Sequence, residues 1–313
     1  MHAVPIIKTM DVLDRHDDKV GAVTEPRRPV SALHMPGSAL AGLIFASFER
    51  DTRDCGLSHE ERYSYFAATP LCGVTLMLEG EARILDWATG LSNPRSGRLA
   101  PQWSFAGPHD GPGAGWTPGG AHGVTIGFWP DAFAALTGID MSAYRNRFVA
   151  LEEVADEPLL EAFAHLAGSG AMAARLRRFE AALLPLWQTR RKKSLPAAAW
   201  LSDWVRGVSA RAATANPGRS LRQAERRMKA WTGQSKRELL GYGRTEKLYA
   251  STLRRLEDGT LDWAALAAEA GYSDQSHMVR RVRRETGFTP ENLLYLIANH
   301  EAFWAYRLFA QRF

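Results

Sequence analysis

Cysteine is scarce in this sequence, and long apolar runs are missing. Cys55 and Cys72 are its two cysteines, too few for a disulfide framework or a cysteine-rich metal cluster, so we expect two reduced thiols. No run approaches the roughly 18 apolar residues that cross a bilayer. The short apolar stretch 4–7 is followed by charged residues, which is not the pattern of a signal peptide. We therefore expect a cytoplasmic protein that does not contact membranes.

Recognisable catalytic and cofactor-binding motifs are also lacking. No serine, histidine and aspartate stand in a nucleophile motif, and the glycine-rich segment 111–120 lacks the strand-then-helix setting of a phosphate loop. We predict that this segment is a flexible loop. His109 and His122 flank it, but the closely spaced histidines of a metal site are missing. We expect no catalytic residue, no metal and no cofactor.

Charge is unevenly distributed along the chain. The formal net charge is +5, yet residues 195–300 carry 17 lysines and arginines against 11 acidic residues, whereas residues 1–150 carry 13 against 16. A basic back half behind an acidic front half indicates that the back half meets a polyanion.

The stretch 261–290 predicts two short helices joined by a tight turn. Asp262 can cap the first helix, and apolar residues follow it at helical spacing. Gly271 ends that helix, because glycine adopts the left-handed backbone at little cost. Ser273 or Asp274 is the next N-cap.

The second predicted helix of this stretch is strongly basic. Met278 and Val282 form a thin inner seam, four residues apart. The other faces carry hydrogen-bonding and basic side chains, namely Gln275, Ser276, His277, Arg280, Arg281, Arg283 and Arg284. A helix of this kind suits the major groove of DNA.

These residues resemble the second helix-turn-helix of the AraC/XylS family of bacterial transcription regulators. The family signature is a glycine, an aromatic residue, a short serine-containing turn, a polar helix start and a basic helix closed by Gly-x-(Ser/Thr)-Pro. The matching residues here are Gly271, Tyr272, Ser273, Gln275 to His277, Arg280 to Arg284, and Gly287-Phe288-Thr289-Pro290. The resemblance implies double-stranded promoter or operator DNA as the partner.

Family roles, carried over by position, divide the side chains into two sets. Base edges would be read by Gln275, Ser276, His277 and Arg280 and, in a first unit upstream, by Arg222, Gln223, Glu225 and Arg226. Phosphates would be bound by Arg281, Arg283, Arg284, Arg227 and Lys229. Two recognition helices on one subunit would enter successive major grooves, about 34 Å apart.

That first unit is predicted from a weaker internal repeat. Residues 220–233 give a helix with Ala224 and Met228 inside, and Thr232-Gly233 echoes the end of the second unit. A helix near 200–208 would precede it, but the segment 210–219 between them is longer than the family's usual turn. Residues 237–256 would form the helix that joins the two units.

The front half predicts a β-rich domain followed by helices, so the fold class is α+β. Its strands are expected to form a small β-sandwich or open barrel, with a hairpin across the turn at Gly80-Glu81. The expected strands are 39–48, 63–66, 73–79, 82–87, 103–107 and 123–129. Helices are expected at 131–137, from Pro158, and at 171–190.

The segments 69–84 and 123–154 resemble the sensing domain of AraC-type regulators, which implies a cupin-like β-domain. We therefore expect an effector or dimerisation domain at 1–150, a helical linker region at 151–194, an AraC-type DNA-binding domain at 195–300 and a helical tail at 301–313. Aromatic residues could line an effector pocket. The candidates are Trp103, Phe105, Trp116 and Phe128.

The resulting hypothesis is a transcription regulator, not an enzyme. A small-molecule effector, a second copy of the chain and, for an activator, RNA polymerase are the further partners. Two alternatives stay open: a small-molecule-modifying enzyme domain fused to a DNA reader, and an interaction module whose helix-turn-helix no longer binds DNA.

Overall fold

The computed structural model describes residues 27–191, 198–215 and 220–312. Most of the predicted lead-in at 1–30 lies outside these residues, as does part of the predicted turn at 210–219. No helix among the described residues is long and apolar enough to cross a membrane.

The front half is built from two antiparallel sheets. A six-stranded sheet has the order β1-β2-β9-β4-β7-β10, and a four-stranded sheet has the order β3-β8-β5-β6. The strands are β1 (Val30–His34), β2 (Ile44–Asp51), β3 (Tyr63–Phe66), β4 (Cys72–Glu79), β5 (Arg83–Leu85), β6 (Arg98–Leu99), β7 (Trp103–Ala106), β8 (Gly113–Trp116), β9 (His122–Phe128) and β10 (Phe148–Ala150).

Alternation along the strands decides what each sheet face contacts. In β4, Val74 and Leu76 are buried, whereas Gly73, Thr75 and Met77 are partly exposed on the opposite face. The buried face packs against helices, and the other face lines a cavity. Successive side chains of a strand point to opposite sides, so one strand serves both.

Two predictions for the front half are wrong, and the strand predicted at 39–48 begins only at Ile44. The chain does not form a hairpin at Gly80-Glu81, because β4 belongs to the six-stranded sheet and β5 to the four-stranded sheet. The turn carries the chain from one layer to the other. The glycine-rich segment is not simply a loop, because Gly113–Trp116 is β8, which pairs with both β3 and β5.

Helices pack against the buried face of the six-stranded sheet. Phe105 of β7 stacks on Phe133 with ring centroids 4.9 Å apart, and Phe163 stacks on Phe179 at 5.0 Å. The helices are α1 (Pro130–Thr137), α2 (Glu157–Ala164), α3 (Met172–Arg190), α4 (Leu201–Thr214), α5 (Leu221–Thr232), α6 (Lys236–Glu257), α7 (Trp263–Glu269), α8 (Gln275–Thr286), α9 (Pro290–Asn299) and α10 (Trp304–Ala310).

The back half is helical, and it contains two helix-turn-helix units joined by the long helix α6. The first unit pairs α4 with α5, and the second pairs α7 with α8. The predicted α+β class and the arrangement of a β-sandwich followed by a helical part are therefore confirmed. The C-terminal helix α10 returns to the sheets, where Trp304 Nε1 donates to Ser64 Oγ at 2.9 Å.

Candidate nucleic-acid interface

The second unit begins and ends at the residues that its capping chemistry requires. The Asp262 carboxylate accepts the backbone N–H groups of Ala264 and Ala265 and so caps α7. Gly271 has a φ of +81°, which reverses the chain. Asp274, one of the two predicted caps, then accepts the backbone N–H of His277 at 2.6 Å and begins α8.

The helices α5 and α8 end with the same hydrogen bonds. Thr232 Oγ1 donates to Met228 O at the end of α5, and Thr286 Oγ1 donates to Val282 O at the end of α8. Each helix has 12 residues and is closed by a glycine at positive φ. Residues of α5 and α8 can therefore be matched one to one from their shared ends.

The helix before the first turn is longer than the sequence predicts. The helix α4 runs from Leu201 to Thr214, so half of the predicted turn at 210–219 is helical. The alanine-rich segment 210–215 favours this extension, since alanine is the strongest helix former. Ser220 then begins α5.

Most of the predicted base-reading residues are exposed on the outer faces of the recognition helices. Gln275, Ser276 and Arg280 of α8 are exposed, as are Arg222, Glu225 and Arg226 of α5. In the one-to-one match, Arg226 of α5 corresponds to Arg280 of α8. The two remaining candidates, Gln223 and His277, are half-buried, and His277 Nδ1 lies 3.1 Å from Ser273 Oγ.

The predicted phosphate-binding residues fall into two groups. Lys229, Arg283 and Arg284 are exposed, as a phosphate contact needs. Arg227 instead donates to Ala212 O at 3.0 and 2.7 Å and so caps α4.

Arg281 occupies the same repeat position as Arg227 and also turns inward. It forms an ion pair with the buried Glu285, and its guanidinium lies 5.4 Å from the ring centroid of Tyr242. A Cβ at Gly241 would collide with this guanidinium. The structure therefore gives Arg227 and Arg281 partners within the protein.

Two basic residues outside the recognition helices were not predicted for the interface. Arg237 and Arg244 of α6 share a cleft with Arg280 and Arg284 of α8. The sequence predicts α6 only as a joining helix, although Arg237 and Arg244, seven residues apart, lie on one helical face. The cleft extends the basic surface of the second unit along α6.

The β-domain holds the turn that follows the first recognition helix, an arrangement that we call the first anchor. Gln234 Nε2, just after α5, donates to Asp110 Oδ1 at 2.9 Å. Arg145 joins Asp110 to Glu238, with distances of 2.6 and 2.5 Å. Burial favours the neutral form of Asp110, but hydrogen bonds from Arg145, Asn146 and Gln234 outweigh it and lower the pKa of this carboxyl.

The second anchor holds the equivalent turn after α8. The backbone N–H of Ala68 donates to Glu285 O at 2.7 Å. Trp87 and Phe288 meet edge to face, with ring centroids 5.8 Å apart. The β-domain therefore contacts the same structural point in both units, immediately after each recognition helix.

A cavity of about 1150 Å³ lies between the sheets and the helical part. Its wall includes Ala68 and Glu285 of the second anchor, and Asp110 of the first. Aromatic and apolar side chains from both parts line it, among them Trp116, Tyr249, Trp263, Trp304 and Phe309.

The cavity differs from the predicted effector pocket in three of its four aromatic residues. Trp116 lies on the wall. Phe105 and Phe128 are fully buried on the other face of the six-stranded sheet, and Trp103 faces Phe163 of α2. The correction follows from strand alternation: the same strands, β7 and β9, place small and polar residues such as Ser104 and Thr125 toward the cavity.

Two carboxyl groups on the cavity wall are difficult to ionise. Burial raises the pKa of Glu246 to about 7, although the Leu201 backbone N–H that donates to it acts in the opposite direction. Burial also raises the pKa of Glu285, against the opposing charge of Arg281. In the described part of the chain, no three histidine, cysteine, aspartate or glutamate residues are grouped so that they could hold a metal ion.

Solved structures of transcription regulators are similar to this chain at low identity. Two structures of ToxT from Vibrio cholerae have TM-scores of 0.33 and 0.35, each at 7% identity, covering 86% and 80% of this chain and 99% and 96% of theirs. The AraC-like transcriptional activator CuxR has a TM-score of 0.26 at 10% identity, covering 90% of this chain and 100% of CuxR. Further ToxT structures hold an unsaturated fatty acid or a naphthalenyl-butenoic acid. No protein-family profile and no curated protein matches the chain.

Proposed function

We propose that this chain is a sequence-specific DNA-binding transcription regulator of AraC type. One observation carries the proposal: two helix-turn-helix units with matching ends both present exposed, polar recognition helices. Arg226 and Arg280 hold the same position in the repeat and are both exposed. An interaction module without DNA-binding function would have no reason to keep the same basic outer position twice.

The two sets of exposed side chains have different tasks in this proposal. Arg226 and Arg280 bond guanine edges, and Gln275 bonds adenine, each contact contributing about 1–3 kcal/mol of discrimination. Lys229, Arg283 and Arg284 bind phosphates, together with Arg237 and Arg244 of the shared cleft. Phosphate contacts supply affinity that falls as salt rises.

The cavity is the effector site of this proposal. Its wall is predominantly apolar and it touches both anchors, so a bound molecule would contact the β-domain and the helical part together. An apolar or aromatic small molecule fits such a wall. A second copy of the chain and, for an activator, RNA polymerase are the further partners.

DNA binding is tested by selecting sequences from a random duplex library with the full chain and measuring affinity for the selected duplex. We expect salt-dependent, sequence-specific binding. The double variant Arg226→Ala, Arg280→Ala should bind the selected duplex at least about tenfold more weakly and discriminate less between sequences. Arg95→Ala, which removes an exposed arginine of the β-domain, is the matched control and should bind normally.

Two results would overturn the proposal. If no sequence is selected at low salt, with or without candidate effectors, the chain is an interaction module rather than a DNA reader. If the double variant and the Arg95→Ala control bind alike, the recognition helices do not read DNA. The effector is sought separately by thermal shift with apolar small molecules, because a ligand of the folded state raises its apparent stability.

A further inference from the structure

An exposed leucine stands at the start of the first recognition helix. Among the described residues, Leu221 is the most exposed large hydrophobic side chain, at 84%. It belongs to none of the hydrophobic cores in the described part of the chain. The inner face of α5 is formed instead by residues such as Met228 and Trp231. Packing among the described residues therefore gives no reason for a leucine at this position.

The equivalent position in the second unit indicates what Leu221 could contact. The helices α5 and α8 have equal length and matching ends, so Leu221 corresponds to Gln275, the first residue of α8. Both residues follow the N-cap directly and both are exposed. The N-terminal residues of a recognition helix are those that contact base edges in the major groove.

Within the function proposed above, we infer that Leu221 recognises thymine through the 5-methyl group of that base. The thymine methyl is the one apolar group that base pairs present in the major groove, and apolar side chains contact it. Leucine has no donor or acceptor with which to read any other feature of a base edge. The neighbouring Arg222 and Arg226 are suited to guanine.

The inference makes the two units read different bases at equivalent positions. Gln275 is suited to adenine, through paired hydrogen bonds, whereas Leu221 is suited to a thymine methyl. One chain would therefore bind an asymmetric site in a single orientation, although its two units share one architecture.

The test replaces thymines by deoxyuridine, one at a time, in the duplex selected by the full chain. This change removes the methyl group and keeps base pairing. The first unit's half-site is identified as the one whose sequence preference relaxes in Arg226→Ala. We expect one deoxyuridine in that half-site to weaken binding about fourfold, the value of one buried methyl group.

Leu221→Ala should weaken binding to the thymine duplex and lose its sensitivity to deoxyuridine at that position. Selection with Leu221→Gln should favour adenine in place of thymine at the base that residue 221 contacts. The matched control is Leu99→Ala, which truncates an exposed leucine of β6 in the β-domain and should leave the deoxyuridine effect intact. Leu221→Ala should unfold at the wild-type temperature, because the side chain is exposed.

The outcomes separate the two proposals. If the chain selects no DNA, the proposed function fails. If it selects DNA but the first half-site lacks thymine, or every deoxyuridine there is neutral, the role of Leu221 fails while DNA reading stands. If Leu221→Ala keeps the wild-type sensitivity to deoxyuridine, the methyl group is read by another residue and the inference is overturned.

Discussion

Two arginines of one helix, Arg281 and Arg283, have opposite tasks because they lie on different faces of α8. Arg281 is partnered by Glu285 and lies against Tyr242, whereas Arg283 is exposed. Removing one member of a buried ion pair leaves the other charge uncompensated. The two arginines should therefore respond to truncation in different measurements.

Arg281→Ala should lower the free energy of unfolding by about 3 kcal/mol, because Glu285 stays buried without its partner. Arg283→Ala should change stability by less than about 0.5 kcal/mol and reduce the salt dependence of DNA binding by about one phosphate contact. Urea unfolding and salt titration of binding measure the two effects. A stable Arg281→Ala variant with a reduced salt slope would instead support the phosphate role predicted from sequence.

Glu246 should make stability depend on pH. Its pKa is about 7 in the folded protein, where burial opposes ionisation, Arg312 favours it and Asp203 disfavours it; the unfolded value is about 4.3. The folded state therefore holds more protons than the unfolded state between these values. The contribution of this carboxyl to the free energy of unfolding is fully present below about pH 4 and is lost as pH rises through 7.

Glu246→Gln should remove this part of the pH dependence, which amounts to roughly 4 kcal/mol over the whole range. The glutamine keeps an oxygen for the Leu201 backbone N–H but carries no charge. Urea unfolding at pH 5, 6, 7 and 8 compares the variant with wild type, and Glu257→Gln, at an exposed site on the same helix, is the control. Equal slopes for wild type and Glu246→Gln would show that this carboxyl does not titrate in the range.

The sequence alone predicts which positions of α5 and α8 are polar better than where each side chain points. Gln275, Arg280 and Arg226 are exposed on outer helix faces, as the helical period predicts. The inward turn of Arg227 and Arg281 was not predictable, because Ala212 and Tyr242, which they contact, lie on other helices and come close only when the helices pack. Strand alternation likewise separates the two faces of a strand without saying which face meets a cavity.

At the scale of elements, helix ends were more predictable than strand partners. Asp262, Gly271 and Gly287 mark boundaries through local chemistry that acts over a few residues. The strand β8 was missed, because its glycine-rich sequence lacks β-branched residues and it is held by β3 and β5 on either side. Strand pairing of this kind depends on residues far apart in the chain.

Gly287 ends α8 at a φ of +84°, and a Cβ there would collide with the Trp87 ring. Gly138 ends α1 at a φ of +80° with open space around it. Gly138→Ala should therefore cost only the left-handed backbone, about 1–2 kcal/mol. Gly287→Ala should cost an additional 1–3 kcal/mol, roughly, because the ring must move.

Thermal or urea unfolding of the two glycine variants measures this difference. Adding Trp87→Ala to Gly287→Ala should remove the additional cost, since the alanine side chain then has room. A double-mutant cycle isolates the coupling between the two positions. Equal destabilisation by Gly138→Ala and Gly287→Ala would show that the second anchor leaves space at this turn.

At the scale of the whole molecule, the contact between the two parts could not be read from the sequence. The charge split predicts which half would meet a polyanion, and the two helix-turn-helix units follow from local patterns. The anchors pair residues more than 90 positions apart, such as Arg145 with Glu238. Neither composition nor periodicity predicts that these two residues pair.

In the proposed DNA-bound state, the two anchors would fix the spacing between the two half-sites. Both recognition helices are fixed at their C-terminal ends to one β-domain, so the protein rather than the DNA sets their relative phase. Inserting one base pair between the half-sites would rotate one of them by about 35° around the duplex axis. Binding should fall to the level of a single half-site, whereas units on a flexible tether would tolerate the insertion.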